Sequence, residues 1–167
     1  YQQCGYELID DLAFLEFEGE LGENAFSVDP SKHYEVNKGV AIDALNVDFY
    51  NDNVPWQTHW QGLRRDGELL TILDQDEVVG YFIYKRAMTP EGKVANIILF
   101  NSGFKPGRSD APQIARFGLK EIFAQADYSG KRLTFNYPRE NKYVIQALEE
   151  EGFKSSTEQV YMIKKLK

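Results

Sequence analysis

Apolar positions along this chain follow two rhythms, and the change from one to the other lays out the elements. Residues 68–73, 78–84 and 94–100 are short, nearly continuous apolar runs rich in Leu, Ile, Val and aromatics, and they predict three strands. The polar turn at 74–77 and the apolar density of the second run predict a hairpin buried on both faces. Further on the spacing lengthens. Ala115, Leu119, Ile122 and Phe123 share one face of a helix predicted over 114–126, and Val144, Ala147 and Leu148 do the same over 139–151. Between these helices, 131–137 reads as a strand that Pro138 ends, because proline has no N–H to give to a ladder. Gly152 is placed as a left-handed cap, Phe153 returns to the core, and 154–167 reads as two strands about a polar turn at Thr157-Glu158-Gln159. Earlier in the chain, Ile42, Leu45 and Phe49 fall on one helical face, 51–55 breaks the pattern, and 56–65 forms a second short helix.

Some of these residues carry a resemblance. Asn141-x-x-Val144-Ile145-x-Ala147-Leu148-x-x-x-Gly152-Phe153 is similar to the N-x-x-A-I-x-L-Y-x-x-x-G-F signature near the end of GNAT-family N-acetyltransferases, and Val78-Val79-Gly80-Tyr81 resembles the strand before that family's cofactor strand. The order of elements over 37–167 follows the same plan. The resemblance implies an α/β fold with a mixed, strongly twisted α+β sheet, helices on both faces, and two splayed parallel strands at 94–100 and 131–137. It implies acetyl-CoA as cofactor, its pantetheine bonded to the backbone of Ile97, Ile98, Leu99 and Phe100 near Asn141. Its pyrophosphate would sit at Arg108, Ser109, Asp110, Ala111 and Gln113, where the family has R/Q-x-x-G-x-G/A at a helix start.

The departures from that pattern are chemical. Glycines there let backbone N–H groups approach an anion that the helix dipole favours. Here Ala111 and Gln113 replace glycines, Pro112 has no N–H, and Asp110 adds a negative charge, so a weak or absent cofactor is one expectation. Arg108, Lys105 and Arg116 are the cations available to compensate. On a purely structural reading, Asp110 or Ser109 caps the helix and Pro112 occupies its first turn. Leu148 stands where the family often has a tyrosine whose phenol protonates the leaving thiolate; Tyr143 and Tyr161 are the alternative phenols. No catalytic residue is assigned. In the family the acceptor lies between the early helices and the sheet, which puts Tyr50, Asp52 and Trp56 in the acceptor pocket, with a solvated face the competing reading of the acid.

The first residues add a repeat. Tyr1-Gln-Gln-Cys-Gly5-Tyr6 has the form that closes the signature above, and Leu8-Ile9, a turn at Asp10-Asp11 and 12–17 read as a hairpin. Superposing Gly5-Tyr6 on Gly152-Phe153 gives an offset of 152 − 5 = 147 residues, which sets Tyr1 on Leu148. Residues 1–20 are therefore read as the tail hairpin of a preceding GNAT-like domain, 21–36 as a linker tacked down by Phe26 and Val28, and 37–167 as the domain itself. The open strand edges of such a tail need covering, by this domain or by a homodimer partner.

Composition narrows the partners. With 19 basic and 26 acidic residues the net charge is −7, which argues against nucleic acid or an anionic membrane and permits a small-molecule or peptide amine acceptor, with acidity for solubility alone the competing reading. Cys4 is the single cysteine, so neither an intrachain disulfide nor a cysteine zinc site is available. No apolar run reaches transmembrane length, and a cytoplasmic location is expected. Two functions remain open: an acetyl-CoA-dependent N-acetyltransferase working by direct amine attack, or a non-catalytic GNAT-like scaffold or interaction domain of a tandem protein with a degenerate coenzyme A site.

Overall fold

Strand alternation sends neighbouring side chains to opposite faces, and both faces of this sheet are covered. The computed structural model describes residues 2–125 and 127–166, with the side chains of Gln2, Glu158 and Gln159 left out. The three apolar runs form an antiparallel meander of β3 (Glu68–Asp74), β4 (Glu77–Met88) and β5 (Val94–Phe104). Along β4, Val79, Phe82 and Tyr84 join one core while Tyr81 and Ile83 join the other, which is why the run lacks polar positions. The first core lies under α1 (Ala111–Phe123) and α2 (Lys142–Glu150), which pack against each other. Opposite them, Ala41, Ala44, Val47 and Leu63 cover Leu69, Tyr81, Ile83 and Phe100. The helices expected at 41–49 and 56–65 shrink to 3-10 turns at Ala41–Asn46 and Trp56–Thr58, so both α-helices lie on one face. Ile42 and Leu45, the expected inner face, are 49% and 59% exposed, while Ala41 and Ala44 are buried. A threefold winding has rotated the stripe.

The termini depart furthest from expectation. Residues 7–18 form one strand, β1 (Glu7–Glu18), and 154–163 form one strand, β8 (Lys154–Ile163), in place of two hairpins. Each finds a partner along nearly its whole length in the other, and that ladder outweighs the local turn signals at Asp10-Asp11 and at 157–159. β1 sits inside the sheet, between β8 and the strand pair β6 (Lys131–Thr134) and β7 (Tyr137–Pro138). The expected linker is partly strand as well: β2 (Glu35–Val40) pairs with β3 as the far edge, and Phe26 is fully buried against Phe123 and Phe153. Tyr1 and Ala126, the start of the repeat and the end of the first predicted helix, lie outside the described residues.

The β1–β8 register repeats the sequence offset. Leu12 pairs with Gln159, its own equivalent, since 12 + 147 = 159. Glu7 pairs with Ile163 and Glu16 with Lys154, which are exchanged equivalents (7 + 147 = 154; 16 + 147 = 163). Even the residues skipped at the two irregularities, Ile9 and Ser156, differ by 147. Gly5 and Gly152, which precede the two strands, both have left-handed φ, at 82° and 94°.

β5 and β6 form a parallel pair, and their ladder is short. It runs from Asn96↔Lys131 to Leu99↔Thr134 and closes with the Phe135 N–H donating to the Leu99 carbonyl at 3.0 Å. Asn136 then adopts a left-handed φ of 47°, a conformation asparagine tolerates, and the chain turns to pair with β1. Thr134 bridges the break by accepting from the Leu15 N–H and donating to the Ala13 carbonyl. β5 continues to Phe104 on β4 alone. The two strands therefore diverge, as the sequence resemblance implied.

Candidate functional site

The divergence opens a cleft of about 760 Å³ at the carboxyl end of β5. Its floor holds Ser102 and Asn141; one wall is the loop from Phe104 to Ala111, the other the stretch from Pro138 to Tyr143. Asn141 precedes α2, and its Nδ2 donates to Ser102 Oγ and Tyr137 OH, both at 2.8 Å. Ser102 Oγ and Tyr137 OH also hydrogen-bond each other. Burial pushes the Tyr137 phenol far above its usual pKa, against the opposing pull of the Ser102 bond, so it stays protonated at any working pH. Sequence reasoning had Asn141 but not Ser102 or Tyr137. The available signal was polar residues, 101–103, closing an apolar strand, facing a tyrosine just before a proline.

Backbone geometry decides which groups of β5 face the cleft. The Lys105 N–H donates to the Val79 carbonyl at 2.9 Å, so Gly103, two residues back, also faces β4. Ser102 and Phe104 thus turn their backbone groups to the cleft, and the Ser102 carbonyl accepts from Asn141 Nδ2 at 3.4 Å. This corrects the expected contacts. Ile97, Ile98 and Leu99 are paired with Arg132, Leu133 and Thr134, and Phe100 is buried against Phe135, so the open edge begins two residues later.

The loop expected to bind phosphate is already occupied by its own side chains. Arg108 Nε and Nη2 donate to the two Asp110 carboxylate oxygens at 2.8 and 2.7 Å, and Nη2 also donates to Asp74 Oδ2 at 2.6 Å. Tyr34 OH donates to Asp110 Oδ2 at 2.6 Å. The Arg108 guanidinium beside Asp110, with help from Tyr34, holds that carboxyl down at about 2, and the same carboxylates push Arg108 up. Asp110 is the residue before α1, yet its carboxylate goes to Arg108 and caps nothing. The amides of Gln113 and Ile114 donate to the Asp110 carbonyl, and that of Ala111 reaches the Arg108 carbonyl at 3.4 Å. Gln113 Oε1 accepts from the Asp29 N–H, and Ser109 is exposed. The other two compensating cations are also paired: Lys105 with Glu77, and Arg116 with Glu150. The Ser102 and Phe104 edge turns backbone groups toward the cleft, the kind of group an amide chain pairs with. The helix start, with Arg108 and its first-turn amides already engaged, does not suit a diphosphate.

None of the expected acceptor residues lines that cleft; their neighbours Phe49 and Asn51 do. Tyr50 OH accepts from the Trp60 N–H and its ring packs on Tyr81, so it holds the 47–60 segment to the sheet. Trp56 is 63% exposed and stacks on His59, and Asp52 is exposed. The hollow that does adjoin the cleft holds about 280 Å³ and is bordered by Leu8, Asp10, Pro55 and Tyr161. It shares Asn51, Pro138 and Glu140 with the larger cleft. Burial raises the Asp10 carboxyl, and the Glu140 N–H partly offsets this. No local pattern could place this hollow, because it depends on β1 lying beside β8. Tyr143 borders the cleft, whereas Leu148 is buried in the core.

No family model and no curated protein sequence matches the chain. Solved structures do match its shape. A GCN5-related N-acetyltransferase from Anabaena variabilis superposes with a TM-score of 0.60 at 16% identity, over 97% of this chain and 42% of that one. One from Kribbella flavida gives 0.54 at 13% identity, over 96% and 60%. A GCN5-related N-acetyltransferase-like protein from Streptococcus suis gives 0.56 at 12%, over 95% and 61%. The fold is that of the GNAT acetyltransferases. The present chain spans 42–64% of the length of the first three structures it matches. Within this fold the splayed strands are where the sequence resemblance put them. Among the described residues no helix is long and apolar enough to cross a membrane.

Proposed function

We propose that this chain carries an N-acyltransferase site of GNAT type, with a pantetheine-borne acyl thioester in the wedge and an amine approaching from the β1–β8 side. The observation that carries the reading is the edge of β5 at Ser102 and Phe104, which has no neighbouring strand opposite β4 among the described residues and opens along a cleft of about 760 Å³. Acetyl-CoA or a related donor, when bound, supplies the activated acyl group. The chain does the rest. Backbone N–H groups of Ser102 and Phe104 hold an extended amide chain and face a carbonyl oxygen on it. Asn141 fixes the Ser102 hydroxyl. Asp10 and Glu140 border the adjoining hollow, where their charge draws a cationic small-molecule or peptide amine. Tyr143 at the cleft and Tyr161 at the hollow are the phenols positioned to replace the one Leu148 lacks. A cytoplasmic location belongs to the same reading.

A second reading, a non-catalytic interaction domain, is favoured by one specific arrangement: Arg108 locked between Asp74 and Asp110 at the helix start. Amide NMR titration separates the two. On addition of S-acetylpantetheine or acetyl-CoA to millimolar concentration, shifts centred on 102–104 and 141–142 are expected. Silence of those amides toward both compounds leaves the interaction domain standing.

A further inference from the structure

We infer that the thioester donor is gripped by its pantetheine arm alone, and that the site gains nothing from a diphosphate. This rests on the N-acyltransferase reading and specifies its donor. Three side chains meet at the α1 start, Arg108, Asp74 and Asp110, and their charges sum to −1. Tyr34 donates its proton inward to Asp110 and not toward the cleft. The first-turn amides are spent on the Asp110 and Arg108 carbonyls, and Pro112 has none. Lys105, the next cation along the same wall, is tied to Glu77, and Lys142 lies across the cleft, on the 138–143 wall opposite the α1 start. A diphosphate arriving here would meet a net negative cluster and would have to take Arg108 from two carboxylates. The edge at Ser102 and Phe104, its Ser102 carbonyl held by Asn141 Nδ2 and its backbone turned away from β4 toward the cleft, carries none of this conflict. The ligand class that fits is an acyl thioester on an amide chain of pantetheine type, free of a nucleotide diphosphate anchor.

Calorimetric titration of the wild-type chain with acetyl-CoA and with S-acetylpantetheine tests this without any mutation. Affinities within about fivefold of each other are expected, where a working diphosphate anchor gives tenfold or more. The paired variant Asp74→Asn/Asp110→Asn frees Arg108; acetyl-CoA should then bind about tenfold tighter while S-acetylpantetheine is unchanged. Wild-type preference for acetyl-CoA beyond fivefold overturns the inference and leaves the acyltransferase reading intact. Failure of both ligands to bind removes that reading, and this inference with it.

A separate observation, the symmetric β1–β8 ladder, carries a second inference: the outer edge of β8 is the seat of a strand from a second domain of this same fold. The pairing exchanges equivalents under the 147-residue offset throughout, so β1 and β8 are related as the matching strands of two such domains. The far edge of β1 receives 131–138, at Leu12, Ala13 and Glu16 to Glu18. The same offset maps those positions onto 159, 160 and 163–165. Among the described residues β8 pairs only with β1, and Val160, the equivalent of fully buried Ala13, is 55% exposed. An open strand edge at the positions equivalent to the paired edge of β1 is what a missing neighbour leaves. A second copy of this chain already covers its own 131–138 with β1, so the occupant is a domain whose equivalent strand is free. Hydrogen exchange on this chain alone and on a tandem polypeptide that joins a second domain of this fold to it provides the test. Amides at 159–165 should exchange at least about tenfold more slowly in the tandem polypeptide. Equal exchange in the two, or a dimer of this chain that Val160→Lys dissolves, overturns the assignment.

Discussion

Arg132→Met should lower the unfolding free energy by about 3–5 kcal/mol, the largest loss from any single substitution proposed for this protein. Arg132 is fully buried on β6, and among the described residues its hydrogen-bond acceptors are backbone carbonyls. Its Nε donates to the Phe123 carbonyl at 2.7 Å, Nη1 to Gly19 at 2.6 Å and Nη2 to Tyr128 at 2.8 Å, while the guanidinium lies 4.7 Å from the centre of the Tyr128 ring. One planar group thereby closes the end of α1, the exit of β1 and the loop before β6. Methionine fills comparable volume but abandons three carbonyls, each worth roughly 1–3 kcal/mol when left unpaired in the interior. Arg132→Lys should recover little, since one ammonium cannot point along three divergent directions. Urea unfolding followed by far-UV circular dichroism gives the number; a loss under about 1 kcal/mol would mean that water replaces the guanidinium there.

Gly118→Ala should destabilise, against the sign that helix propensity gives. In the interior of a helix alanine is favoured over glycine by about 1 kcal/mol. Gly118, however, faces the Phe82 ring of β4, and an added Cβ would lie 2.1 Å from Cε2 and 2.6 Å from Cζ. Phe82 is itself fully buried at the middle of the sheet and has nowhere to retreat. Overpacking of that kind costs about 1–3 kcal/mol, more where a ring is trapped, so a net loss near 2 kcal/mol and a thermal midpoint lower by roughly 4–8 °C are expected. The double variant Gly118→Ala/Phe82→Leu should be less unstable than the two single losses added together, because the second change vacates the space the first requires. A stabilised Gly118→Ala would show instead that α1 can lift from the sheet.

Close contact of this kind is what holds the cleft open. α1 seated through Gly118 on Phe82 fixes the helix start, and Arg132 fixes the base of the parallel pair just before it diverges. Both substitutions should therefore disturb ligand binding only through stability, whereas changes at Asp74 and Asp110 act on the site directly.

The apolar rhythm of the chain by itself determined the β3–β4–β5 meander, α1, α2 and a strand between the helices, because residues buried on both faces of a sheet or along one helical stripe leave no alternative pattern; that this strand breaks at Asn136, with Pro138 paired to Leu12 instead of ending it, was not legible there. It also carried the 147-residue echo between the two ends, which the β1–β8 register then reproduced residue for residue. Residue type singled out Asn141, which borders the cleft, and the 108–113 stretch, which starts α1. Tertiary structure alone decided that 7–18 would be one interior strand, since a strand's partner lies far along the chain and no local turn signal can weigh that ladder. It decided that Arg108 would face Asp74, 34 residues away, and that Ser102 would meet Tyr137 across the wedge. Periodicity reports which side of an element is buried; which charges and hydroxyls end up opposite one another depends on where two strands part, and that is settled only when the sheet closes.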